Sequence, residues 1–102
     1  MGTIQCVNGE LTGKFFEDGY LHKLRTSGMP GVPNFMTTVA EIEYDSASDL
    51  TGRKHSEVDS FVGPDELSLK LRGPEGVSTI TGRIQGIVSP PQMLPESDVI
   101  WS

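Results

Sequence analysis

Two alternating runs, Thr3–Val7 and Leu11–Phe16, flank the dipeptide Asn8-Gly9. Asn-Gly supplies the two positive-φ residues that a type I′ turn requires, so this stretch predicts a tight antiparallel hairpin. Ile4 and Cys6 fall on one face, with Thr3, Gln5 and Val7 on the other. One of Phe15 and Phe16 should point inward, and Gly13 marks a bend or bulge in the second strand.

The same period-2 pattern recurs downstream. In Thr37–Asp45, Ala40, Ile42 and Tyr44 oppose Glu41, Glu43 and Asp45. Leu67, Leu69 and Leu71 alternate with Ser68, Lys70 and Arg72, the signature of a half-buried strand. A turn over 72–76 leads into a long strand, Val77–Val88, whose apolar face carries Ile80, Ile84 and Val88 together with Gly82 and Gly86. Glycines on the inner face let a strand coil as tightly as a small barrel needs.

Between these runs the reading is less regular. Glu17–Met36 reads as a long connection. Asp18-Gly19 reads as a turn, and Tyr20, Leu21 and Leu24 as one helical turn or a short strand. Prolines and glycines forbid regular structure over 27–36, yet this loop carries Met29, Val32, Phe35 and Met36. Ser56-Glu57-Val58-Asp59 resembles a capping box, followed by Val58, Phe61 and Val62. It predicts a helix of at most two turns, stopped by Gly63-Pro64.

Glycine and proline, 12 and 7 of 102 residues, break helices too often for a helical bundle. The expected fold is mostly β: a small, strongly bent antiparallel barrel of the SH3 or OB type, with about five strands and one short helix. The alternative is a two-layer α+β sandwich with the 56–62 helix on one sheet face. Residues 1–88 form a single β-rich domain. Residues 89–102, opening with Pro90, Pro91 and Pro95, read as an extended tail that packs on the domain or on a neighbouring protomer.

The net charge is −6, and the acids are concentrated. Residues 1–40 and 67–102 each balance, whereas 41–66 holds eight acids against Arg53 and Lys54. Such a balance argues against nucleic acid and membrane surfaces as partners. It suits either a basic protein partner or a solvated, solubilising face. No run approaches a membrane-spanning length, and Met1–Lys14 lacks the features of a signal peptide. The single cysteine, Cys6, allows no intramolecular disulfide, and a cytoplasmic location is expected.

No residue set points to catalysis, and no cofactor or metal is expected. Cys6 alternates with Ile4 and has no basic neighbour, so it reads as a core residue rather than a nucleophile. His22 and His55 read as loop residues without further ligands at metal-binding spacing. Glu41, Glu43 and Asp45 are about 6.5–7 Å apart in succession along a strand. That spacing suits acid–base pairs, but also any outward strand face, which Lys70 and Arg72 would neutralise if the two strands paired. Leu11-Thr12-Gly13-Lys14, Leu50-Thr51-Gly52-Arg53 and Ile80-Thr81-Gly82-Arg83 share a pattern. Three cations beside glycines could grip an anion, but so short and irregularly spaced a pattern also arises by chance.

These readings favour a small, acidic, non-enzymatic binding or inhibitory module acting through protein–protein contacts, itself a homodimer or larger assembly. Its candidate acidic face is Glu41, Glu43 and Asp45. Its candidate apolar contacts are Met29, Phe35, Met36 and Trp101, the last a lone tryptophan that either caps the barrel or docks on a partner. One alternative is a small-molecule binder or small enzyme with a pocket at the barrel mouth lined by Tyr20, His22, Tyr44 and the carboxylate row. Another is a structural assembly protein whose tail reaches a neighbour.

Overall fold

A computed structural model of the chain describes residues 1–26, 28–74 and 76–102. Ten strands run in chain order: β1 Gly2–Val7, β2 Glu10–Glu17, β3 Tyr20–Thr26, β4 Phe35–Glu43, β5 Gly52–Ser56, β6 Phe61–Val62, β7 Glu66–Gly73, β8 Gly76–Ile84, β9 Gln92–Met93 and β10 Asp98–Trp101. Eight of them close a ring, β1-β2-β3-β10-β5-β7-β8-β4 and back to β1, with every pairing antiparallel. β6 and β9 extend the sheet beyond β7. The molecule is thus a closed eight-stranded antiparallel barrel, not a two-layer sandwich, and it has more strands than the five expected.

Two tight turns set the register of the first three strands. Asn8 and Gly9 have φ of 53° and 80°, and Asp18 and Gly19 have 52° and 82°, the paired positive values of type I′ turns. Val7 then faces Glu10, and Glu17 faces Tyr20. The span read as a connection from Glu17 therefore contains a full strand, β3. The Asp-Gly turn launches it, and its neighbours hide its pattern: only Leu24 and Thr26 are fully buried, while Tyr20 and Leu21 are exposed.

The helix expected over 56–62 is absent. Ser56 is buried at the end of β5, and its hydroxyl donates to the Pro95 carbonyl at 3.1 Å. Asp59 pairs with Lys70 instead of capping a turn, and Val58 is exposed. β5 and β6 are two pieces of one interrupted strand along β7, bridged by Glu57 N–H to Lys70 C=O (2.8 Å) and Lys70 N–H to the Ser60 hydroxyl (3.0 Å). The one helical turn among the described residues is a 3-10 turn, Ala47–Leu50. There Asp49 Oδ2 accepts from the Asp45 and Ser46 N–H groups at 2.9 and 3.3 Å.

Within 89–102, β9 pairs with β6, and β10 lies in the ring between β3 and β5. β8 ends at Ile84 rather than Val88. Gly82 faces Ala40 and Leu67 on the neighbouring strands. Gly86 lies beyond the strand at φ 83°, not on its inner face. Of the sequence readings, the 72–76 turn includes Glu75 and the 27–36 loop includes Ser27, which lie outside the described residues. β7 and β8 meet with Gly73 opposite Gly76.

Alternate residues from the ring strands fill the bore, apolar from seven of the eight, while β5 buries Lys54 and Ser56. Ile4, Cys6, Leu11, Phe15, Leu24, Ala40, Ile42, Leu67, Leu69, Leu71, Ile80, Ile84, Val99 and Trp101 belong to one buried cluster. Trp101 meets Phe15 edge-on, with ring centroids 6.0 Å apart and planes at 65°. Because apolar side chains pack the interior, chemistry at this fold takes place on its outer faces and rims.

Candidate functional site

The acidic row is where its alternation puts it. Ala40 and Ile42 are buried, while Glu41, Glu43 and Asp45 are exposed. Glu41 and Glu43 face Thr81 and Thr79 across β8. β8 separates β4 from β7, so Lys70 and Arg72 are not cross-strand partners of the row. They turn to Asp59 and Glu57 instead. Among the described residues the three carboxylates enter no ion pair. Glu43, Tyr44 and Asp45 line a shallow depression of ≈ 360 Å³ with Ile42, Val77 and Thr79.

The candidate apolar contacts separate. Met29, Phe35 and Trp101 are buried in the chain's own core, and Met36 alone is exposed. Met29 is held by its N–H to the Gly9 carbonyl (3.2 Å), which folds the apolar loop back over the first hairpin. In the last strand, Val99 and Trp101 point inward and Ile100 outward. The Trp101 indole N–H finds no acceptor among the described residues.

Nor do the residues expected at a barrel mouth assemble into one pocket. Tyr44 donates to Asp18 Oδ2 at 3.3 Å. Its partial burial and the carboxylates of Asp18 and Glu17 push its phenol above the ordinary tyrosine range. Tyr20 and His22 do not line the depression beside Tyr44. His22 and His55 lie on β3 and β5 rather than in loops, and His55 Nδ1 is 3.4 Å from Asp98. Burial pushes the Cys6 thiol up, away from the thiolate a nucleophile needs. No group of three or more His, Cys, Asp or Glu among the described residues could hold a metal ion. No helix among them is long and apolar enough to cross a membrane.

A second surface went unread in the sequence. The outer face of β4-β1-β2-β3 forms a groove of ≈ 690 Å³, with Gln85 and Ser102 at its edges. One row across it is Thr3, Lys14 and Lys23, and the next is Met36, Gln5, Thr12 and Arg25. Lys14 and Lys23 are therefore direct cross-strand neighbours. Elsewhere the bases are engaged. Arg53 reaches Asp98 (3.8 Å), Lys70 Asp59 (2.6 Å) and Arg83 Asp65 (3.7 Å), and Arg72 pairs with Glu57. Lys54 donates to the Ser48 carbonyl at 3.1 Å. Lys14, Lys23 and Arg25 have no such partner among the described residues. The three Thr-Gly-basic segments are not gathered: Lys14, Arg53 and Arg83 lie on β2, β5 and β8.

Fold and surface together define a small closed antiparallel β-barrel with an apolar interior and charged outer faces. Compared with known protein families, curated proteins and solved structures, the chain matches none.

Proposed function

We propose that this protein is a small, non-enzymatic binding or inhibitory module that acts through protein–protein contacts. The observation that carries this reading is the row Glu41, Glu43 and Asp45, exposed and without ion-pair partners among the described residues at the end of β4 and just beyond it. An unneutralised carboxylate row keeps its field available to a basic surface, which favours encounter and selects partners by charge. The barrel would then work as SH3- and OB-type barrels do, recognising ligands on strand faces and loops rather than in its bore. The partner is a protein with a basic patch, and the module itself acts as a homodimer or larger assembly in the cytoplasm, where Cys6 stays a thiol. The depression beside Tyr44 is where the alternative of a small-molecule ligand would be sought.

The test is binding of a lysine- and arginine-rich peptide, followed by fluorescence anisotropy at low and high salt. Reversing Glu41, Glu43 and Asp45 to lysine should weaken binding by about tenfold or more, and salt should do the same, because exposed charges are screened beyond about 8 Å at physiological ionic strength. Affinity unchanged by reversal and by salt would reduce the row to a solubility feature.

A further inference from the structure

The groove over β1, β2 and β3 holds an unresolved electrostatic cost. Like charges directly opposite on paired strands destabilise a sheet, and Lys14 stands opposite Lys23 with Arg25 one row away. The chain has 14 acids to 8 bases, yet none of those acids reaches this trio among the described residues. Of the nearby carboxylates, Glu17 pairs with the N-terminal amine and Asp18 accepts from Tyr44, while Glu10, on the same outer face of β2 one row beyond Thr12, makes no ion pair with the trio among the described residues. A residue arrangement that violates a local rule without compensation inside the fold marks a functional site.

We propose that this groove is an anion-binding site, distinct from the acidic row, for a compact oxyanion of at least two negative charges, such as a chain of phosphoryl groups or a polycarboxylate. Three features fit that ligand. The cations stand in two adjacent rows, so their heads can converge on one multivalent anion from two sides: Lys14 and Lys23 as point charges, Arg25 as a planar fork suited to paired oxygens. Thr3, Thr12 and Gln5 lie in the same rows and add neutral donors. The groove, at ≈ 690 Å³, has room for a small anion, and each charged contact strengthens to the extent that the anion leaves water. Bound anion would also relieve the Lys14–Lys23 repulsion, so ligand and fold stabilise each other.

The experiment is thermal unfolding of the full chain with inorganic tripolyphosphate or citrate, each against potassium chloride at matched ionic strength. Backbone amide shifts by NMR provide the second readout. The expected result is a rise in Tm with one or both anions, beyond that with chloride, and amide shifts centred on Thr12, Lys14, Lys23 and Arg25. The anion with the larger effect identifies the phosphoryl or the carboxylate class. Each of Lys14→Gln, Lys23→Gln and Arg25→Gln should weaken binding by about tenfold or more. Without anion, Lys23→Gln should melt no lower than the parent. No rise with either anion, or an equal rise in the triple variant, would overturn the proposal. So would a mass by sedimentation that grows with concentration and falls in Glu41→Lys, because the groove would then hold the acidic row of a second copy.

Discussion

The β2–β3 and β7–β8 hairpins occupy opposite arcs of the ring, separated by β10 and β5 on one side and by β4 and β1 on the other. Inside they are alike. Leu11, Phe15 and Leu24 on one arc and Leu67, Leu69, Leu71, Ile80 and Ile84 on the other are all buried. Outside they differ. Lys70, Arg72 and Arg83 on the β7–β8 arc each face a carboxylate, respectively Asp59, Glu57 and Asp65. Lys14, Lys23 and Arg25 on the β2–β3 arc face one another or neutral groups. Three acids of the strongly acidic 41–66 stretch thus neutralise one arc, whereas near the other Glu17 and Asp18 are engaged elsewhere and Glu10, on the outer face of β2, pairs with none of its bases among the described residues. The difference lies in how the outer surface is matched and not in how the core is built.

The comparison would break if the β2–β3 arc proved to be loosely packed, because its unpaired cations would then reflect slack. Trp101 is the anchor that tests this, seated against Phe15 from the adjoining β10. Trp101→Ala should lower the unfolding free energy by about 3–5 kcal/mol, comparable to the ~2–5 kcal/mol expected for Leu69→Ala on the other arc. Trp101→Phe should cost far less, since it removes an indole N–H that has no acceptor among the described residues. Denaturant unfolding of the three variants measures this. A loss below about 1 kcal/mol for Trp101→Ala would mean the inner faces are not equivalent.

The second-largest effect lies where β8 joins the arcs through β4. A Cβ at Gly82 would approach the Val39 carbonyl oxygen to 2.8 Å and Ala40 Cβ to 3.2 Å. Backbone cannot swing aside as a side chain can, so Gly82→Val should cost roughly 1–3 kcal/mol through overpacking, although valine is the better strand former. At Gly86 a Cβ meets nothing within 4 Å. A substitution there meets only the left-handed backbone strain of about 1–2 kcal/mol, so Gly86→Ala should be the milder variant. Equal or higher stability for Gly82→Val would show that β4 and β8 separate readily, leaving the ring open between the arcs.

How far this comparison was legible in the sequence differs between the arcs. The alternating leucines of β7 and the acidic alternation of β4 are plain because one face is apolar and the other charged. β3 was obscured because Leu21 puts an apolar group on the outer face and His22 a polar one at an inward position between Tyr20 and Leu24, which breaks the alternation. The helix read over 56–62 had the right local residues, but pairing along β7 and with the 92–101 segment claimed Ser56 and Asp59 first. Long-range pairing of this kind leaves no trace in local spacing. The basic groove was the more recoverable omission. Two-residue loops at Asn8-Gly9 and Asp18-Gly19 are enough to set Thr3 opposite Lys14 and Lys14 opposite Lys23. Summing charge along the chain hid this, because Glu10, Glu17 and Asp18 balance those bases in sequence without neutralising them in space. Burial of Met29 and Trp101 had no such signal, since an apolar loop or tail reads the same whether it covers its own core or a partner's.

The smallest effect is also the sharpest comparison, because it predicts opposite signs from one chemical change. Lys70→Gln removes a cation bonded to Asp59 and should destabilise the fold at neutral pH, whereas Lys23→Gln removes a cation opposed by Lys14 and should leave stability equal or slightly higher. Acid provides the check. The hydrogen bond from Lys70, with its charge, holds the Asp59 carboxyl below the usual carboxylate range. A depressed folded pKa contributes stability that is present above the unfolded value, about 3.9, and lost as pH falls through the folded one. The cost of Lys70→Gln should therefore be full at pH 7 and shrink below about pH 4 as Asp59 is protonated. Lys23 has no carboxylate partner among the described residues, so the effect of Lys23→Gln should not change with pH there. Urea midpoints of parent and both variants at neutral and acid pH measure this directly. If Lys23→Gln instead destabilised the protein as Lys70→Gln does, Lys23 would have a partner within the fold, and the two arcs would be matched alike.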